Sequence, residues 1–275
     1  MKVTIAAYQM SITPFDLKKN FENIELAAKK AAKRKANFFI IPEKCWVGPF
    51  YKEKYKNEVS EFVQEHAAKL SKKYGFYFIA GSYHEIKKEL GEDPHNISYL
   101  FNPNGESVGY YAKRHLFKGE EAGGLVPGKT HKVFDTEFGR IGIQICRDIL
   151  YPEATKIMGD LGAKIVFSPA FWSKFSSEYD FSINQKYHVN DEVQTIKYLV
   201  PARALENELI FVFANAAGSY ITNHSKDVLL GYTQICQPFT GPLEVYRHNH
   251  QRLMIQTIDT DIVDAVKNTW QIRGH

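Results

Sequence analysis

The sequence predicts an α/β protein with buried sheets, and two observations carry the prediction. Short apolar runs such as Phe38-Phe39-Ile40-Ile41 and Leu209 to Ala214 read as strands covered on both faces. Between such runs lie segments whose apolar residues recur at helical spacing, the alternation expected of strands packed against helices. The chain has 275 residues, 44% hydrophobic and 14% aromatic, which is ample for a large core.

The elements follow in order. Val3 to Gln9 reads as a strand. Thr13-Pro14-Phe15-Asp16 signals a helix start, and Leu17, Phe21, Ile24, Ala28 and Ala31 carry a helix over Asp16 to Lys35. Asn37 to Ile41 is a buried strand ended by Pro42. Val59, Phe62, His66, Leu70 and Tyr74 mark a second helix, Gly75 closes it, and Phe76 to Ala80 is the next strand. Asn96 to Phe101 and Ser107 to Tyr111 flank the turn Asn102-Pro103-Asn104-Gly105. Lys132 to Asp135 and Arg140 to Ile145 form another strand pair, followed by a helix at Pro152 to Gly162 and a strand at Lys164 to Ser168. Trp172 to Asp191 is polar, aromatic and aperiodic, and reads as a long loop of the kind that is often functional. A helix at Val193 to Asn207 precedes the strand Leu209 to Ala214, and three strands (Leu229 to Cys236, Leu243 to Tyr246, Leu253 to Asp259) finish the chain. With no linker, low-complexity stretch or clear repeat, residues 1–275 are expected to form one domain.

Composition narrows the function. The net charge is +4, and basic and acidic residues are interleaved, a balance that does not argue for nucleic acid or membrane partners. The apolar run in MKVTIAAYQM is too short and polar for a signal peptide, and no stretch approaches the ~18 apolar residues of a membrane span. Cys45, Cys146 and Cys236 are odd in number and widely spaced, so reduced thiols in a cytoplasmic setting are expected. No metal or cofactor is expected. His248 and His250 lack further ligands at recognisable spacing, and Asp259, Asp261 and Asp264 lack the glycine and terminal glutamate of a calcium loop. The segment GEEAGG lacks the GxxxxGK pattern of a phosphate cradle.

Three residues share one placement. Glu43 follows FFIIP, Lys113 follows SVGYYA and Cys146 follows RIGIQI, each just beyond a predicted strand, where loops of an open α/β fold converge. The types are complementary. A thiol is mostly protonated near neutral pH, and its thiolate is the nucleophile. A carboxylate can take that proton and later hand it to a departing amine, and an ammonium stabilises both the thiolate and the oxyanion formed by attack. Each residue also has an ordinary reading: Cys146 as a small buried hydrophobe, Lys113 as part of a solvated basic segment, Glu43 as a turn cap.

The flanking residues weigh against those ordinary readings. IIPEKC around Glu43, YAKRHLF around Lys113, GRIGIQICRDILYPE around Cys146, LVPARALENELIFVFANAAG from Leu199, and the opening VTIAAYQM together resemble the nitrilase superfamily of carbon–nitrogen hydrolases, over nearly the whole chain. The resemblance implies a four-layer α-β-β-α sandwich, a Glu43–Lys113–Cys146 catalytic triad and a homodimer or an assembly of dimers. It also implies a second glutamate between the lysine and the cysteine, assigned to Glu121 by its offset from Pro127-Gly128, with the adjacent Glu120 as the alternative. Asp148 is expected to fix the turn that carries Cys146. Arg147 either lines the pocket and attracts an acidic substrate or pairs with a surface acid. Trp172 either rims the pocket or packs in the core. The implied activity is hydrolysis of a small amide or N-carbamoyl compound through a cysteine thioester. True nitrile hydrolysis and a non-catalytic binding protein that kept the fold are the alternatives. A low-pKa Cys146, if accessible, would react with alkylating agents faster than Cys45 and Cys236.

Overall fold

The computed structural model describes residues 1–49, 56–174, 186–187, 192–221 and 226–273. The elements run β1 (Lys2–Ser11), α1 (Leu17–Lys33), β2 (Phe38–Ile40), α2 (Lys56–Tyr74), β3 (Tyr77–Ile79), β4 (Tyr83–Ile86), β5 (Pro94–Phe101), β6 (Ser107–Ala112) and α3 (Lys118–Ala122). They continue with β7 (Val133–Phe134), β8 (Ile141–Ile143), a 3-10 turn (Cys146–Leu150), α4 (Pro152–Asp160), β9 (Ile165–Ala170), α5 (Val193–Glu206) and β10 (Ile210–Ala217). The hairpin β11 (Ser219–Ile221) and β12 (Lys226–Val228) precedes β13 (Gln234–Gln237), β14 (Gly241–Val245), β15 (Arg252–Asp259) and α6 (Asp261–Trp270).

The strands build two halves of one curled sheet. The first half runs β6-β5-β3-β2-β1-β15, with β4 extending the β3 edge of β5. The second runs β7-β8-β9-β10-β13-β14. They join where the ends of β1 and β10 pair in parallel at Met10↔Ala216 and Ser11↔Ala217.

Strand periodicity explains the layering, because alternate side chains point to opposite faces. Along β1, Val3, Ile5 and Ala7 enter one core, while Ala6, Tyr8 and Met10 enter the other with Ile24 and Ala28 of α1 and Val63 and Leu70 of α2. Along β2 and the residue after it, Phe38 and Ile40 take the first core and Phe39 and Ile41 the second. The Phe38 ring meets Phe167 of β9 at 5.1 Å, so the first core lies between the two sheets. Met158 of α4 and Ile196 and Val200 of α5 pack with the second sheet. The layers are therefore α-β-β-α, as expected. No helix among the described residues is long and apolar enough to cross a membrane.

Most elements fall within a few residues of their sequence assignments, and the differences have causes. Asp16 caps α1 by accepting a hydrogen bond from the Lys19 N–H at 2.9 Å, which delays the helix by one residue. Leu229 to Cys236 is not one strand: Gly231 and Tyr232 take left-handed backbone (φ 68° and 57°), and pairing with β10 begins only at Gln234. The chain does not finish on a strand; α6 follows, with Val263 and Val266 buried and Asp261 and Asp264 in its first turn, where acidic side chains favour a helix. The expected loop Trp172 to Asp191 lies largely outside the described residues.

Candidate active site

Strand direction gathers the residues. β1, β2 and β3 are parallel, β5 is antiparallel to β3, and β6 is antiparallel to β5, so β6 again runs with β2. The ends of β2 and β6 thus deliver Glu43 and Lys113 to one edge, and the beginning of β5 brings Asn96 there. In the second sheet β8, β9 and β10 are parallel, so Cys146 and Phe171 emerge on the edge shared through the β1–β10 pairing.

Lys113 lies at the centre of this edge, 2% exposed, donating to Glu43 Oε1 at 2.9 Å and to Glu120 Oε2 at 2.7 Å. Asn96 Nδ2 donates to Glu43 Oε1 and to Glu120 Oε1, both at 2.7 Å. Glu43 Oε2 accepts the Phe171 N–H at 2.9 Å, and Lys44 Nζ reaches Glu120 Oε1 at 2.9 Å. Two carboxylates and two ammoniums are therefore buried together, each supplied with partners, the condition under which such charges persist inside a protein.

Cys146 begins the 3-10 turn with φ +48°, a left-handed conformation that a cysteine adopts only under constraint from its surroundings. Asp148 supplies much of the constraint. Fully buried, it accepts from the Ile145 N–H at 2.9 Å, the Tyr111 hydroxyl at 2.8 Å and the His115 N–H at 2.9 Å. This is the role in fixing the turn that the sequence assigns to it.

Electrostatics follow from burial and pairing. Burial alone would lower the Lys113 pKa, but Glu120 and Glu43 outweigh it and hold the ammonium well above its usual range. Burial likewise opposes ionisation of Glu120, and Lys113 and Lys44 outweigh it, holding that carboxyl well below its usual value. Burial, reinforced by the Glu43 carboxylate, pushes the Cys146 thiol up, with Lys113 opposing. Glu43 thus stands beside the thiol as a carboxylate placed to accept its proton. The pairings make a stability prediction. A depressed carboxylate stabilises fully above the ordinary value of 4.5 and loses that contribution as pH falls through its own lower value. A raised ammonium stabilises fully below 10.5 and loses it as pH rises through its own higher value. Melting temperatures should hold a plateau between these limits. In Glu120→Gln the acid limb should flatten.

The structure brings Glu120, not Glu121, to Lys113. Glu121 is exposed, whereas Glu120 is 1% exposed and makes the contacts above. Neighbouring residues of a helix point about 100° apart, so α3 can turn only one carboxylate inward. Glu120 also accepts the Phe117 N–H at 3.1 Å, capping α3 from its third position. The sequence hides this because Phe117 offers no side-chain half of a capping box. Glu120→Gln should cost ~10–100-fold in turnover, whereas Glu121→Gln, like most surface changes, should stay within about 0.5 kcal/mol in stability and about twofold in rate. Steady-state kinetics and melting of the two variants check this.

Arg147 sits partly buried on the 3-10 turn. Trp172 packs against the inter-sheet core, its backbone N–H donating to Asn215 Oδ1 at 2.8 Å and its indole N–H to Glu192 Oε2 at 3.4 Å. Lys44 and Asn96 entered the sequence reading only as neighbours in a motif and a strand. Nothing in their local spacing marks them, since their partners are supplied by other elements. Among the described residues no group of three or more histidine, cysteine or acidic side chains is arranged to hold a metal.

Fold and site together define a four-layer α/β protein that presents a constrained cysteine to buried, fully paired carboxylates and ammoniums. The family model for carbon–nitrogen hydrolases matches residues 4–268, and the chain belongs to that family. "Probable hydrolase YhcX" of Bacillus subtilis (strain 168) is 27% identical over 291 residues, covering 99% of this chain and 52% of that protein, so the chain spans about half the length of this relative. "Omega-amidase NIT2" of Danio rerio is 26% identical over 217 residues, 74% of this chain and 75% of that one. Among solved structures, the amidase from Nesterenkonia sp. AN1, carrying acrylamide added at its active-site cysteine, superposes with a TM-score of 0.76 at 20% identity and covers 98% of each chain. That amidase is itself described as a nitrilase-superfamily protein.

Proposed function

We propose that this chain hydrolyses the carbon–nitrogen bond of a small amide or N-carbamoyl compound, releasing ammonia through a thioester on Cys146. The observation that carries the reading is the Glu43–Lys113–Glu120 network, sequestered from water beside a cysteine in left-handed backbone. The amidase names of relatives support the substrate class.

In this mechanism Glu43 takes the Cys146 proton as the sulfur attacks the carbonyl carbon. Lys113 and the Arg147 backbone N–H receive the oxyanion. Glu43 returns the proton to the nitrogen, the carbon–nitrogen bond breaks, and ammonia leaves a thioester. Glu43 then deprotonates a water that attacks the thioester, and the expelled thiolate recovers its proton from Glu43. Because a thiol becomes nucleophilic on losing its proton, the base has to lie in place before the substrate arrives. The Asn96, Lys113 and Phe171 contacts aim both oxygens of Glu43 for that purpose. A dimer-based assembly and an intracellular setting belong to the same reading. They rest on the family resemblance and on three unpaired, buried thiols.

The test is ammonia release by the wild type and Cys146→Ala over a panel of small amides, ureido acids and nitriles. Cysteine-dependent release from amides or ureido acids is the expected result. Release from nitriles alone would replace the substrate class, and a folded protein silent on every member would sink the hydrolase reading for these classes.

A further inference from the structure

We propose that Lys44, which lies outside the Glu43–Lys113–Cys146 set, is a positioning residue: by binding one oxygen of Glu120 while Lys113 binds the other, it keeps the Lys113 charge available to Cys146 and to the oxyanion formed there. The inference rests on the function proposed above.

Two independent observations support it. The first is conformational. Lys44 has φ +56°, in the left-handed region that lysine seldom occupies and that surrounding contacts must impose. Its backbone N–H donates to Ser82 O at 2.8 Å and its carbonyl accepts the Gly48 N–H at 2.7 Å, so the strained residue is pinned on both sides. That conformation aims the side chain inward, where it is only 5% exposed and ends 2.9 Å from Glu120 Oε1.

The second observation is charge. The ionisable groups facing this point are Glu43 from the turn after β2, Lys113 from the end of β6, Glu120 from α3 and Cys146 from the turn after β8, with the Phe117 ring 5.9 Å from Lys44 Nζ. Without Lys44, one ammonium would be shared by two buried carboxylates, and the negative charge that passes from Glu43 to the sulfur and then to the oxyanion would compete with Glu120 for it. With Lys44, Glu120 has its own counter-charge, and the field of Lys113 is left for the sulfur. Low-polarity surroundings strengthen such effects relative to water.

The test uses the whole chain and needs no substrate. The rate of Cys146 alkylation by iodoacetamide is followed by mass spectrometry across pH for the wild type, Lys44→Met, Lys44→Asn and Lys44→Arg. Asparagine tolerates left-handed backbone, so Lys44→Asn removes the charge even if the methionine variant does not fold. Cys45 and Cys236, both 0% exposed, serve as internal controls for intact structure. The neutral variants should react about tenfold more slowly than wild type at mildly alkaline pH, with the midpoint about one unit higher, and Lys44→Arg should stay within about threefold. On any amide the wild type turns over, kcat should fall in the neutral variants with KM within about twofold. Wild-type alkylation rates in the neutral variants would overturn the proposal. So would an equal loss in Lys44→Arg, which would make the role one of packing. If wild type releases no ammonia, the hydrolase reading fails by itself, and the alkylation comparison still decides the role of Lys44.

Discussion

Replacing Cys146 with alanine should abolish ammonia release, a fall of at least about 10⁴-fold. No other sulfur can take over: Cys45 and Cys236 are fully buried, and burial pushes the first thiol well above its usual range and the second up to about 12. The fold should survive, because alanine keeps the Cβ and Asp148 still fixes the turn through Ile145, Tyr111 and His115. Alanine inherits the left-handed strain at φ +48°, whereas glycine does not. Cys146→Gly should therefore be equally inactive yet melt at or above the temperature of Cys146→Ala. Ammonia assays paired with calorimetry check both, and a glycine variant clearly less stable than the alanine variant would remove the strain from the account.

Lys113→Ala should damage rate and stability together. Turnover should fall by at least about 10²–10³-fold, the usual cost of losing an oxyanion donor. Stability near neutral pH should fall by about 3–5 kcal/mol, because Glu43 and Glu120 would lose the ammonium they share while remaining buried. Asn96, Phe171 and Lys44 would continue to hold them in part. Denaturation at several pH values separates the causes. If the loss comes from uncompensated carboxylates, it should shrink as pH falls and one of them takes a proton. A loss that does not change with pH would point to packing, and near-normal turnover would remove Lys113 from the mechanism.

How much of this was legible in the sequence depends on where the information lies. Runs such as Phe38 to Ile40 and Ile165 to Ala170 announce buried strands because they are apolar on both faces, and α1 announces itself through period and cap. The placement of Glu43, Lys113 and Cys146 together could be anticipated because each follows a strand inside a distinctive motif. Glu120 was readable only to within one residue, since a five-residue helix gives too little periodicity to assign its inner face. The hairpin β11–β12 and the short β4 are too brief for alternation to register. Lys44 and Asn96 carry no local signal because a contact between β2, β5 and α3 is a property of the folded sheet.

The two sheets contribute unlike parts to the site: Glu43, Asn96 and Lys113 from one, Cys146 and Phe171 from the other, bridged by the Phe171 N–H on Glu43. In the proposed mechanism, catalytic alignment is thus a matter of registration between two plates, and the spacer between them is the apolar layer around Phe38 and Phe167. A change there touches neither Cys146 nor Glu43, yet it can slide them past each other by a fraction of an ångström. A fragment carrying either sheet alone holds only half of the machinery. On that mechanism, the catalytic rate is open to tuning by residues deep in the sandwich, far from the reacting groups.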